Sequence, residues 1–283
     1  MSPELDDRNA ALRANLATYT GFDERHYVNG APHLKHTSIG RIYLDLVLDA
    51  THAVGRPVSE ISVLELGAGN GLASLPWLEL GVKLTAVDSS REMLQRLAER
   101  SRHHDAETTT VVADVGDYLA ASRQRFDIVT HVSMLHHVPD YVSLLRASAA
   151  CVRSGGCLLT FQDPLRYDTM PPLDHAADRG SYFVWRLAQG NYRRGLKTRW
   201  RRLRGVYSPT ETVDFDEYHV VRNGVDSEAS AALLRQSFDQ VRLVRYWSTY
   251  SRLLQRAGER LGLVSSFGVL ASGRKLDPQP DRA

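Results

Sequence analysis

Residues 63–71 read Val-Leu-Glu-Leu-Gly-Ala-Gly-Asn-Gly, VLELGAGNG, and they join a short apolar run to a helical pattern at 73–80. Glycines stand at 67, 69 and 71, where a chain leaving a buried strand must turn sharply. They also let a ligand approach the backbone, and free N–H groups at the start of the next helix can donate to it. A dinucleotide-binding turn would want glycine at 72, where Leu72 stands, and Glu65 would repel a pyrophosphate. A ligand carrying an ammonium or another positive charge removes that objection.

Working outward, runs rich in Val, Leu, Ile and Thr recur at 62–66, 84–88, 109–113, 127–132 and 157–162. Such runs suit strands buried on both faces. Between them lie helical patterns at 73–80, 92–101 and 141–152, with Ser90 and Asp140 as N-caps of the second and third. Gly155 and Gly156 turn the chain into the fifth strand. Strand–helix alternation of this kind predicts a doubly wound, Rossmann-like α/β core, mostly parallel, with right-handed crossovers. The chain should close with a helix at 227–238, a strand at 241–246, a helix at 250–261 and a strand at 267–273.

Two regions stand outside the alternation. Residues 1–61 hold a helix at 38–54 and read as an N-terminal helical cap segment. Residues 164–226 are too long for a loop and read as an inserted substrate cap between core segments 62–163 and 227–274.

Composition narrows the function classes. The 283 residues carry 35 Lys+Arg against 33 Asp+Glu, a balance that demands no polyanionic partner for the whole chain. No apolar run is long enough to span a bilayer, and the polar opening MSPELDDRNA is unlike a signal peptide. The two cysteines, Cys151 and Cys157, suit a reducing compartment and fit no zinc ligand spacing. We therefore expect a cytoplasmic globular protein without a metal.

Carboxylates mark the strand ends. Glu65 lies in the first strand, Asp88 ends the second in TAVDSSREML, and Asp114 follows the third in VVADVGD. The fourth strand runs into FDIVTHVSMLHHVPD. Together these motifs resemble the class I S-adenosylmethionine-dependent methyltransferases over roughly residues 60–163. The resemblance implies a closing antiparallel hairpin at the sheet edge and S-adenosylmethionine as methyl donor. It implies that Glu65 and Gly67, in the loop with Gly69 and Gly71, hold the methionine amino group. Asp88 and Ser89 would take the ribose, Asp114 and Val115 the adenine, while His131 and His136 flank the methionine portion. Acidic groups suit a ligand that carries a sulfonium and an ammonium.

Further residues are candidates beside plainer readings. His137 is a candidate proton acceptor, though the LHHV loop could simply pack on the donor. Asp163 sits just after the fifth strand, facing the expected acceptor pocket, or caps a turn. Tyr27 and His36 could close over the donor, or belong to a surface loop. His219, in EYHVVRNGVD, is a third candidate for catalysis. Tyr167, Tyr182, Phe183 and Trp185 suggest a large, apolar acceptor such as a terpenoid, polyketide or aromatic metabolite, methylated on O, N or C.

Residues 179–204 hold nine Lys/Arg, no acid and five aromatics. Three readings compete: a pocket cap, a membrane-proximal helix, or a nucleic-acid platform in an RNA-modifying enzyme. The first makes nucleic acid an unlikely partner and leaves transient membrane contact open. A catalytically inactive donor-binding protein is the remaining alternative. Terminal helices at 6–16 and 250–261 lead us to expect a homo-oligomer.

Overall fold

The computed structural model describes residues 28–188 and 224–275. Seven strands form one sheet: β1 (Ser62–Leu66), β2 (Lys83–Asp88), β3 (Thr108–Val112), β4 (Phe126–Val132), β5 (Val152–Pro164), β6 (Phe238–Tyr246) and β7 (Ser266–Arg274). Their spatial order is β3-β2-β1-β4-β5-β7-β6. β1 to β5 pair in parallel, whereas β7 runs antiparallel to both β5 and β6. The expected Rossmann-like sheet with an antiparallel edge hairpin is present.

Among the described residues a one-turn helix, Pro32–Lys35, precedes eight longer ones: α1 (Thr37–Val54), α2 (Leu75–Leu80), α3 (Arg91–Ser101), α4 (Val115–Ala121), α5 (Tyr141–Ala150), α6 (Pro172–Ala188), α7 (Ser227–Arg235) and α8 (Arg252–Arg260). On one face Ile39, Tyr43, Leu46, Val47 and Ala50 of α1 join Trp77, Leu78, Leu94 and Leu97 over Val63, Ile128, Leu159 and Phe161. That i, i+4, i+7, i+8, i+11 spacing makes a single apolar stripe on α1. α1 is thus a layer of the core, and it ends at Gly55 in the left-handed region. On the other face Leu119, Leu144, Leu145, Ala149 and Leu234 cover Leu64, Leu66, Val129, Leu158 and Phe267.

The caps behave as their residue types predict. Ser90, Asp140 and Asp226 accept from the backbone N–H of Met93, Ser143 and Ala229 respectively. The structure differs in several places. α2 starts at Leu75, not 73, because Pro76 belongs in a first helical turn, where no N–H is needed. α7 stops at Arg235, since Phe238 is already paired with Arg274 in β6. β5 begins at Val152, which pairs with Phe126 ahead of an irregularity in the ladder. α4 was not anticipated; it is short, and Asp114 caps it.

The end of the sheet opposite the loops is tied by Asp127. Its carboxylate accepts from Ser62 N (2.9 Å), Ser62 Oγ (2.6 Å) and Arg153 Nη1 (3.0 Å), joining β1, β4 and β5. Burial works against ionisation there, but the Ser62 donors and Arg153 hold the group below the usual carboxylate range.

Candidate functional site at the carboxyl edge of the sheet

The glycine loop is seated on β2. Gly67 N and Ala68 N donate to Val87 O at 2.8 and 3.1 Å. Gly67 has φ +70°, and a Cβ there would meet Met134 Cγ at 2.6 Å, so the turn requires glycine. Asp88 locks the loop: Oδ2 accepts from Gly69 N at 2.9 Å and Oδ1 from Ser90 N at 2.8 Å. Each oxygen keeps a lone pair, so an aimed carboxylate can still accept from a vicinal diol. Burial raises its pKa, and the backbone donors of Ser90, Gly69 and Ser89 oppose the rise.

Glu65 is 1% exposed. Ser74 Oγ donates to its Oε2, while Oε1 is buried without a partner. Burial first, and the nearby Asp88 charge after it, push this carboxyl up to about 7 against the Ser74 donor. A buried acceptor without a donor is costly unless a ligand supplies one. An ammonium is the donor that fits, because it also settles the paired acids. Asp114 spends Oδ1 on the N–H groups of Gly116 and Asp117 at 2.9 and 3.1 Å, at the head of α4 where Val115 begins the helix.

β4 and β5 carry a second cluster. Asp163 is fully buried; its Oδ1 lies 2.8 Å from His136 Nδ1 and 3.1 Å from His136 N. Thr160 Oγ1 donates to Oδ2 at 3.2 Å. The His136 and His137 rings lie 4.1 Å apart, and burial with the neighbouring His136 holds the His137 pKa well below the ordinary imidazole value. Ser133 and Gln162, at the tips of β4 and β5, have φ of +53° and +65°, a conformation side-chain-bearing residues seldom adopt.

The turn ahead of α1 and the 247–251 segment close this edge from above. His36 Nε2 donates to Thr249 O at 2.7 Å, and Lys35 Nζ to Tyr250 O at 2.6 Å. α6 docks on the same segment through Thr249 Oγ1 and Ser181 Oγ at 3.0 Å. Trp185 stacks on Tyr250 at 4.4 Å, with Tyr182 6.2 Å from Tyr250. Burial and the neighbouring Tyr182 and Asp178 raise the Tyr250 pKa. Asp178 is itself pushed up to about 6 by burial, with Arg179 opposing.

The structure corrects several expectations. His131 is fully buried on the face opposite Glu65, with Nε2 2.9 Å from Ser148 Oγ of α5. Strand alternation is the reason: Thr130 is the partner of Glu65, and His131 is the next residue along. Its pKa falls to about 4 through burial, with Asp163 opposing. His136 is held by Asp163 and not by the glycine loop. His36 spends its ring on Thr249. Phe183 is 57% exposed, because one residue of helix turns it away from the face that Tyr182 and Trp185 share. Tyr167 packs beside His175, ring centroids 4.9 Å apart. Tyr27 and His219 lie outside the described residues, as do helix 6–16 and most of the basic segment.

Sequence reasoning missed Ser74, His33, Gln162 and Tyr250. Ser74 could have been found as a hydroxyl one helical turn beyond the last loop glycine. The other three carry no local signal.

Fold and site define a Rossmann-like α/β protein with an acid-lined glycine loop at the carboxyl edge of its sheet. Residues 63–156 match a family described as "Methyltransferase domain". Ubiquinone biosynthesis O-methyltransferase of Xanthomonas campestris pv. campestris is 35% identical over 96 residues, 34% of this chain and 40% of that protein. The Vibrio vulnificus enzyme of the same name is 36% identical over 98 residues, 33% and 40% of the two chains. The chain therefore spans about 40% of the length of these curated relatives. Among solved structures, the N-methyltransferase NodS from Bradyrhizobium japonicum, bound to S-adenosylhomocysteine, superposes with a TM-score of 0.54 at 14% identity, over 94% of this chain and 100% of that one. Magnesium protoporphyrin IX methyltransferase (ChlM) from Synechocystis, with bound S-adenosylmethionine, gives 0.53 at 16%, over 97% and 100%. Likeness at such identity speaks for the fold. Residues 63–156 thus match a methyltransferase domain, and the sheet that holds them shares the Rossmann-like fold of these two methyltransferase structures.

Proposed function

We propose that the protein is an S-adenosylmethionine-dependent methyltransferase acting on a hydroxyl of a sizeable, apolar small molecule. The observation that carries it is the buried, partnerless Glu65 Oε1 beside a glycine loop pinned by Asp88. The residues fit the donor: Glu65 and the loop for its amino group, Asp88 for the ribose, the Asp114–Val115 turn for the adenine. When bound, it supplies an electrophilic methyl on a positively charged sulfur. The chain's own residues bind and orient, exclude water, and hold the reactants in line; such positioning accounts for much of the acceleration in a displacement of this kind. Oxygen is favoured as acceptor because the curated relatives are named O-methyltransferases. The aromatic group Tyr182, Trp185 and Tyr250 supports an apolar acceptor, and α6 is then the first helix of the 164–226 cap.

Among the described residues no cluster of His, Cys, Asp and Glu is suited to a metal, and no helix is long and apolar enough to cross a membrane. A cytoplasmic location and a homo-oligomer belong to the same reading. α8 and the residue that follows it support the oligomer by leaving Leu253 and Leu261 76% and 75% exposed, and light scattering tests it.

The deciding experiment pairs calorimetry of S-adenosylhomocysteine binding with a labelled-methyl assay on small-molecule extract and on RNA. Binding with label in the extract supports the proposal. Label in RNA overturns the acceptor class, and binding without transfer to either points to an inactive donor-binding protein.

A further inference from the structure

α6 is amphipathic in the inverse sense. Asp174, Asp178, Ser181, Tyr182 and Trp185 stand at i, i+4, i+7, i+8 and i+11. The same spacing carries the apolar stripe Ile39, Tyr43, Leu46, Val47 and Ala50 on α1. Ser181 fixes which way this stripe of α6 faces, because its Oγ accepts from Thr249 Oγ1 at 3.0 Å. Asp174 is accordingly only 8% exposed, while Leu173, Phe183 and Val184 are turned outward into exposed positions. A helix that merely packed on its neighbours would bury the leucine and phenylalanine and expose the acids. The inner face of α6 is built to meet something polar.

The charges on that face say what kind. Among the described residues neither Asp174 nor Asp178 has a hydrogen-bond donor or an ion-pair partner for its carboxylate. Cations of the surrounding segments are engaged elsewhere: Lys35 Nζ donates to Tyr250 O at 2.6 Å, and Arg166 pairs with Asp168 and Asp226. Arg179 follows Asp178 in sequence but is exposed. His175 Nε2, next to Asp174 in the chain, is also buried without a partner. Carboxylates withdrawn from water are costly unless positive charge is brought to them. Aromatic rings complete the group. Trp185 lies 4.4 Å from Tyr250 and 5.8 Å from Tyr182. Burial first, then the neighbouring Tyr182, Asp178 and Tyr167, raise the Tyr250 pKa, so Asp178 and these rings belong to one cluster. An ammonium on an apolar body suits such a cluster, since carboxylates accept its N–H groups and ring faces attract its charge. A metal ion does not suit it, because no three of His, Cys, Asp and Glu come together among the described residues.

Building on the methyltransferase reading, we propose that the inner face of α6 is a cation subsite, where Asp178, Asp174 and the rings of Tyr182, Trp185 and Tyr250 hold a protonated amine of the acceptor. The acceptor is then an apolar molecule with two polar ends, a hydroxyl that reacts and an ammonium that does not. Asp178 determines specificity: it sets the direction in which the acceptor enters and leaves the chemistry to the sheet edge. The held amine is not the methylated atom, because a carboxylate beside it stabilises the protonated form, which has no lone pair to attack with.

Two probes test this by calorimetry at about pH 8, where Asp178 is ionised and an alkylamine is still protonated. Tyramine and 4-propylphenol share a phenol and differ by an ammonium in place of a methyl. The wild-type protein–S-adenosylhomocysteine complex should bind tyramine at least tenfold more tightly. In Asp178→Asn the two probes should bind within threefold of each other, with S-adenosylhomocysteine affinity within twofold of wild type. Asp174→Asn should narrow the preference by a smaller factor, and it decides the matter if Asp178→Asn loses S-adenosylhomocysteine binding. Equal affinities in the wild type, tighter binding of 4-propylphenol, or a complex that binds neither probe overturns the proposal. So does a tyramine preference that survives both substitutions. Failure of the wild-type protein to bind S-adenosylhomocysteine is a separate result, which removes the methyltransferase reading itself; the same titrations on the free protein then decide the cation subsite alone.

Discussion

At the tips of β1 and β2 the placing contacts are short-range in sequence: Ser74 to Glu65 spans 9 positions, Gly69 to Asp88 spans 19. At the tips of β4 and β5 they are long-range. Asp163 reaches His136 across 27 positions, Gln162 reaches Ser248 across 86, and His36 and Lys35 reach Thr249 and Tyr250 across 213 and 215. The proposed donor side is therefore a nearly self-contained strand–turn–helix–strand unit. The proposed acceptor side exists only once the turn ahead of α1, the middle of the chain and its closing hairpin have met. The first can be kept while the second is rebuilt, which is how one fold serves many acceptors.

The largest expected effect lies on the donor side. Asp88→Ala removes the carboxylate proposed for the ribose together with the acceptors of Gly69 N and Ser90 N. Losing hydrogen bonds to a charged group should weaken S-adenosylhomocysteine binding by about 3 kcal/mol or more, read by calorimetry. An unchanged affinity would break the comparison at its better-defined end.

Gly67→Ala comes next. A Cβ at φ +70° and 2.6 Å from Met134 Cγ should cost about 2 kcal/mol of stability, visible in urea unfolding. The measurement also shows whether the loop is as rigid as its hydrogen bonds imply.

Glu65 makes opposite predictions for the free and liganded protein. Its pKa is raised to about 7, so between the unfolded-state value near 4.5 and about 7 the native state holds the extra proton. The stability of the free protein should fall as pH rises through that window. Binding of an ammonium ligand needs the ionised form, so affinity should rise over the same interval, by roughly tenfold between pH 6 and 8. His33 and His131, held down to about 4, act the other way on stability: their contribution is lost as pH falls from 6.5 towards 4. The Glu65 effect is therefore read as the difference between wild type and Glu65→Gln. A difference that stays flat with pH would reject the buried, partnerless acid.

The smallest effect sharpens the acceptor side. Trp185→Ala removes the ring stacked on Tyr250. We expect roughly a tenfold loss of kcat/KM for an apolar acceptor, about 1.4 kcal/mol, with S-adenosylhomocysteine affinity within twofold. A matching loss of donor affinity would show that the two sides are not separable.

The sheet was legible before folding, because alternating buried strands and capped helices follow from periodicity and from residues such as Ser90 and Asp140. The sequence by itself also determined the glycine loop with Glu65 and Asp88, whose partners lie on neighbouring elements. The face each side chain occupies at β4 and β5 was decided by tertiary structure. Period-two alternation set His131 behind the sheet, away from Glu65, once the register of β1 against β4 was fixed. One extra residue, Gln162, reversed the rule for Asp163 and turned a candidate acceptor contact into the partner of His136. No pattern in FQDPLRYD announces that reversal, since the groups that hold it, Tyr246 and Ser248, come from the closing hairpin. A bulge is stabilised by what packs around it, and that is known only after the chain has folded.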